Sequence, residues 1–112
     1  MTNIPDAYYV VVDHGRLGRE SIIDWEKCSK ADIIGALLSG EYERPIEVHC
    51  IDRQFGLWHD VSDEIAQLII SRLDHEPVGG LFDFLEGALG CRTMAELGRE
   101  AWGAHEQFGV GA

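Results

Sequence analysis

A run of aromatic and β-branched side chains at residues 8–13, YYVVVD, constrains the fold of this chain most strongly. Pro5 precedes the run and Gly15 and Gly18 follow it, so the run predicts a strand with a turn at each end. Three consecutive valines favour a strand covered on both faces, because a strand with one wet face alternates apolar and polar residues. We therefore expect a central β-strand around which the chain folds.

The other short apolar patterns predict three further strands. Alternation over residues 19–25 predicts a strand that forms a hairpin with the first. Residues 46–52 and 57–61 predict a second hairpin, with residues 53–56 as its turn. Hairpins form antiparallel sheets, so we predict an α+β fold: a small antiparallel sheet of about four strands, with three to four helices packed on one face.

Apolar residues at helical spacing predict the first two helices. Ser29 is the expected N-cap of a helix over residues 30–39. Ser62 is the expected N-cap of the next helix. The helix dipole favours Asp63 and Glu64 in its first turn.

Two further helices are expected near the carboxyl end. Pro77 can open a helix that ends at Gly90, because the missing N–H of a proline costs little in the first turn. Thr93 and Glu96 form a capping-box pattern at the start of a short helix that reaches Trp102. The chain of 112 residues is long enough for one domain, which we expect over residues 1–102, with residues 103–112 as a flexible tail.

The charge balance restricts the partners. The chain has 20 acidic and 9 basic residues and a net charge of -11, which is the wrong sign for a phosphate backbone or an anionic membrane. We expect no direct binding to nucleic acid or membranes, and a partner protein with a basic surface. Cys28, Cys50 and Cys91 show no disulfide or zinc spacing, and no signal peptide is recognisable, so we expect a cytoplasmic protein.

The segment YYVVVDHGRLGR, a helix ending in LLSGEY and the segment HDVSDEIA resemble short bacterial proteins of similar size that have no assigned activity. The resemblance covers roughly residues 8 to 90. It implies a fold, but no activity, cofactor or catalytic residue.

Two residue pairs are candidates for catalysis. Asp13 and His14 follow the first strand, but neighbouring strand residues point to opposite faces, so adjacency does not make them a dyad. A four-residue turn at 53–56 would place Cys50 opposite His59, the minimum for an activated thiolate or half a metal site, whereas a three-residue turn would separate them. Ordinary turn formation and burial explain these residues better. We therefore assign no catalytic residue, no cofactor and no metal site.

Aromatic and acidic residues provide the candidate binding surface. Tyr42 and Phe55 lie in predicted turns and Trp58 lies in a strand, so these aromatic side chains can form an exposed patch. Acidic residues that are close in sequence can form its rim; they are Asp60, Asp63 and Glu64.

The leading hypothesis is a small, non-catalytic protein-binding module that uses its negative surface. A narrower form is an inhibitor that occupies the phosphate groove of a nucleic-acid enzyme, as antirestriction or anti-CRISPR proteins do. Two alternatives remain open. One is a small hydrolase or metal-dependent enzyme that uses Asp13 and His14, or Cys50 and His59. The other is a structural homodimer.

Overall fold

The computed structural model describes residues 5–102. It confirms the α+β class, with four strands and four helices in the described part of the chain. The elements in chain order are β1 (Ala7–Asp13), β2 (Arg19–Ile22), α1 (Lys30–Leu38), β3 (Pro45–Asp52), β4 (Leu57–Asp60), α2 (Ser62–Arg72), α3 (Gly79–Leu89) and α4 (Cys91–Trp102). The predicted tail at 103–112 lies outside the described residues.

The four strands form one antiparallel sheet in the order β2-β1-β3-β4. The predicted central strand β1 is therefore an inner strand, and β4 is an edge strand. The predicted second hairpin register is confirmed, because Cys50 pairs with His59 and the amide of Val61 donates to the carbonyl of Val48. The four-residue turn is the one that forms.

The hydrophobic core lies between the helices and one face of the sheet. Successive strand residues point to opposite faces, so Val10 and its partner Val48 share the core face, whereas Tyr9 and its partner His49 share the other. The core contains the following buried residues of the sheet and helices: Val10, Val12, Val48, Cys50, Ile33, Ile34, Leu37, Ile65, Ile69, Ile70, Phe84, Leu85 and Met94. We call the side of the sheet that carries Tyr9 and His49 the second face.

The capping of α1 agrees with the prediction. The Ser29 hydroxyl accepts a hydrogen bond from the backbone of Asp32, and the Asp32 carboxylate accepts one from the backbone of Ser29. The two residues satisfy two amides that the helix itself leaves free. The second strand is shorter than predicted, because Asp24 begins a turn in which its carboxylate accepts from the amide of Glu26.

Three predicted helix starts are wrong. Val61, not Ser62, is the N-cap of α2, since the Ser62 side chain turns inward to β3. The third helix begins at Gly79 and not at Pro77, because the backbone of Val78 is still extended. The fourth begins at Cys91, where the amide of Met94 donates to the carbonyl of Gly90, which places Thr93 inside the first turn. No helix among residues 5–102 has the length and apolar character needed to cross a bilayer.

Candidate functional site

The edge strand β4 and the turn before it carry the most exposed aromatic surface near the sheet. Phe55 is 70% exposed, Leu57 64% and Trp58 65%. Every residue of β4 is exposed, although strands of soluble proteins usually cover their large apolar side chains. We call Phe55, Leu57 and Trp58 the β4 surface.

The β4 surface wraps around an open edge. Trp58 pairs with Ile51 on the second face, and Leu57 pairs with Asp52 on the face that carries the core. An edge strand presents backbone N–H and C=O groups that its own sheet leaves unpaired. The structure therefore places apolar side chains on both sides of a row of free hydrogen-bonding groups.

Tyr42 does not belong to this surface, contrary to expectation. Its ring is half-buried against the core, and burial raises the pKa of its hydroxyl. Tyr42 precedes β3 and Phe55 follows it, and an eight-residue strand is about 26 Å long. The two rings therefore lie at opposite ends of the sheet.

The three predicted acidic rim residues have different surroundings. The Asp60 carboxylate accepts hydrogen bonds from the amide and the hydroxyl of Ser62. Asp63 is exposed in the first turn of α2. Glu64 forms an ion pair with Lys30 at 2.7 Å between Oε2 and Nζ. All three lie close to β4, but only Asp60 and Asp63 keep their charge free of a basic partner among the described residues.

Local structure accounts for part of the acidic composition. Several aspartate carboxylates accept hydrogen bonds from amides of a nearby turn or helix start, as their residue type favours. These aspartates are Asp13, Asp24, Asp32, Asp52 and Asp60. They lie at separate strand ends, in a turn and at a helix start, so local hydrogen bonds explain their positions without a partner. The distribution of charge alone therefore does not define a binding surface.

Cys50 and His59 are neighbours across the strands, but their surroundings do not activate the thiol. Cys50 is 4% exposed, and burial raises the pKa of its thiol. A hydrogen bond with Tyr8 opposes this rise only in part. Reactive cysteines need a lowered pKa, so this environment favours a buried, neutral side chain.

Asp13 and His14 also do not interact with each other. The carboxylate of Asp13 accepts from the amide of Gly15 at 2.8 Å and so shapes the turn after β1. Nε2 of His14 lies 2.7 Å from Oε1 of Glu20 on the neighbouring strand. The sequence pattern DHG at this point therefore forms a turn.

One cluster was missed in the sequence analysis. Glu47, His49 and Asp60 lie together on the second face, with one potential donor atom from each within 4.8 Å of the others. His49 and Glu47 are two residues apart on β3, and Asp60 pairs with His49 across the strands. The predicted register already contained this arrangement, because it sets residue 60 opposite residue 49.

Comparison of the chain with protein-family models, with curated proteins and with solved structures gave no match.

Proposed function

We propose that the chain is a non-catalytic protein-binding module whose β4 edge binds an extended, positively charged segment of a partner protein. The observation that carries this proposal is the exposure of Phe55, Leu57 and Trp58 on an unpaired strand edge. Their side chains supply apolar contacts, and the strand backbone supplies hydrogen bonds. Addition of a partner strand to a sheet edge combines both.

The charge near β4 selects the kind of segment. Asp52 pairs with the first residue of β4, and Asp60 is the last residue, so a carboxylate lies at each end. The nearby basic groups are engaged: Lys30 pairs with Glu64, and the Arg53 guanidinium lies 5.2 Å from the centre of the Trp25 ring. With a net charge of -11 for the chain, a segment rich in lysine or arginine is attracted and an acidic one is repelled.

The length of β4 limits the strength of the complex. Four residues in the strand can pair with about four residues of an added strand, which buries less than the roughly 1,200 Å² of a standard interface. We therefore propose a transient complex whose affinity depends on the aromatic contacts and on salt. The narrower proposal is that the chain acts in the cytoplasm and inhibits a nucleic-acid enzyme by binding its basic surface. This stays a prediction.

Titration of the isotope-labelled full chain with a defined peptide tests the proposal. The probe is an eight-residue peptide of alternating lysine and valine, and its comparison peptide has glutamate in place of lysine. We expect the lysine peptide to shift the backbone amide resonances of residues 57–60 and to bind several-fold more weakly when salt rises from about 0.05 M to about 0.3 M. The glutamate peptide should not bind.

Matched variants distinguish peptide binding at the β4 surface from nonspecific binding elsewhere on the chain. Trp58→Ser should weaken peptide binding about tenfold, as removal of a central aromatic contact does. Leu17→Ser is the control, because Leu17 is 90% exposed in the turn Gly15–Leu17 at the other end of the sheet. Equal binding of both peptides, or equal weakening by both substitutions, would contradict the proposal. If the chain instead formed concentration-dependent dimers that bury residues 57–60, the alternative of a structural homodimer would replace this proposal.

A further inference from the structure

We propose that Glu47, His49 and Asp60 bind a divalent transition-metal ion of the zinc class. This inference does not depend on the β4 surface having a partner. It rests on three residues whose side chains are the usual protein ligands of such ions and which two strands bring to one point on the second face.

The backbone places the three donors together. Residues two apart on a strand point the same way, so Glu47 and His49 share a face, and Asp60 shares it because it pairs with His49. Nε2 of His49 already lies 2.9 Å from Oε1 of Glu47. Ligand atoms around a tetrahedral zinc are about 3.4 Å apart, given metal–ligand distances near 2.1 Å. The largest donor separation, up to 4.8 Å, closes to that value with small side-chain rotations.

The donor types select the ion. Calcium and magnesium prefer shells made of oxygen alone, whereas an imidazole with carboxylates suits zinc and its first-row neighbours. Three protein ligands leave at least one position for water. A cavity of about 410 Å³, lined in part by Glu47 and Asp60, lies beside these carboxylates and gives that water room.

Neighbouring side chains hold two of the ligands in place. The imidazole of His49 stacks on the ring of Tyr9, with 5.2 Å between the ring centres and 13° between the planes. Ser62 fixes the Asp60 carboxylate through its amide and its hydroxyl. Both contacts reduce the freedom that metal binding would otherwise have to remove.

Two features of the site limit its affinity for the metal ion. Nη1 of Arg19 lies 3.7 Å from Oε2 of Glu47, so an exposed guanidinium shares the carboxylate with the ion. Nδ1 of His49 is buried without a hydrogen-bond partner in the described part of the chain. Metal-binding histidines usually donate this second N–H to an acceptor, and loss of such a contact costs about 10- to 100-fold in affinity. We therefore expect moderate rather than tight binding.

Calorimetric titration of the full chain with zinc chloride tests the site, and cobalt chloride reports its geometry by visible absorption. We expect one ion per chain at this site. Glu47→Gln and His49→Asn each remove a metal ligand. Each should weaken zinc binding at least about tenfold, because loss of a hydrogen bond to a ligand already weakens metal binding by about that factor. Asp63→Asn is the matched control. Asp63 is an exposed carboxylate that lines the same cavity but is not in the cluster, so binding should change less than about twofold.

His49→Asn also removes the stack on Tyr9, so circular dichroism must show that the variant is folded. If it is not, Glu47→Gln decides alone, because Glu47 is 34% exposed and its replacement keeps the shape of the side chain. Zinc affinity that is unchanged in Glu47→Gln would place the ion elsewhere on the chain and overturn the proposal. Absence of saturable binding up to about 1 mM zinc, a free energy near -4 kcal/mol, would also overturn it.

Discussion

Replacement of Ser62 by alanine should destabilise the protein through the sheet rather than through the helix. The Ser62 hydroxyl accepts a hydrogen bond from the amide of Val48 at 2.9 Å, at the point where β4 has ended. The neighbouring Val61 amide donates to the carbonyl of the same valine. Val61 and Ser62 therefore continue the pairing of β3 after the strand itself stops.

The size of the effect follows from burial. Val48 is fully buried, so no water can replace the lost hydroxyl. An amide left without a partner costs about 1–3 kcal/mol, and alanine regains about 0.5 kcal/mol as the better helix former. The net loss is about 1.5 kcal/mol, or roughly 6–12 °C in Tm for a domain of this size.

Urea unfolding followed by circular dichroism measures this loss, and two further substitutions identify its cause. Ser71→Ala is the control, because Ser71 is exposed on the same helix and bonds only to the carbonyl of Leu68. It should change stability by less than about 0.5 kcal/mol. Ser62→Asp should be worse than Ser62→Ala, because the site is buried and already beside the Asp60 carboxylate.

The comparison of Ser62→Asp with the wild type can refute this reasoning. Aspartate and serine are about equally good N-caps. If Ser62→Asp were as stable as the wild type, a second carboxylate beside Asp60 would cost nothing at this buried position, contrary to the argument from burial. A loss below about 0.5 kcal/mol in Ser62→Ala would show that the hydrogen bond to Val48 contributes little.

Two further predictions concern titration and backbone strain. Burial raises the pKa of the Cys50 thiol and of the Tyr8 hydroxyl, so both groups hold their protons more tightly in the folded chain. Their contribution to stability is complete at neutral pH and is lost as pH rises above about 9 for the thiol and above about 10 for the hydroxyl, which urea unfolding across pH will show. Alkylation of Cys50 at the rate of an unfolded thiol would contradict this. An added Cβ meets open space at both Gly56 and Gly87, so only the backbone conformation distinguishes the two positions. Gly56→Ala should lower the free energy of unfolding by about 1 kcal/mol because φ at Gly56 is +71°. Gly87→Ala in α3 should raise it by up to about 1 kcal/mol because alanine is the better helix former. Thermal unfolding compares the two, and effects of equal sign would count against the strain argument.

The second hairpin could be predicted in detail because local rules decide it. The turn at 53–56 determines the register of both strands, and the requirement that Val48 and Val61 reach the core selects one turn length. The same reasoning applied to the second face would have placed Asp60 beside His49. The register alone therefore determines that cluster, as it determines the pair of Cys50 and His59 on the core face.

Other features depend on packing that the sequence pattern does not contain. Ser62 can cap a helix or bond to a strand, and only the approach of α2 to β3 decides between them. Tyr42 lies in a polar loop, yet its ring is half-buried against the core that the sheet and the helices form together. The position of Phe55, Leu57 and Trp58 at an unpaired edge also depends on the order of the strands, which local patterns do not determine.

The junction of β4 and α2 has a mechanical consequence. Only Val61 separates the last residue of the strand from the first residue of the helix, and Val61 is itself held in the core. Because this connection is only one residue long, a rotation of β4 also rotates the first turn of α2 about the buried Val61. A force applied to the edge strand is therefore transmitted to the hydrophobic core.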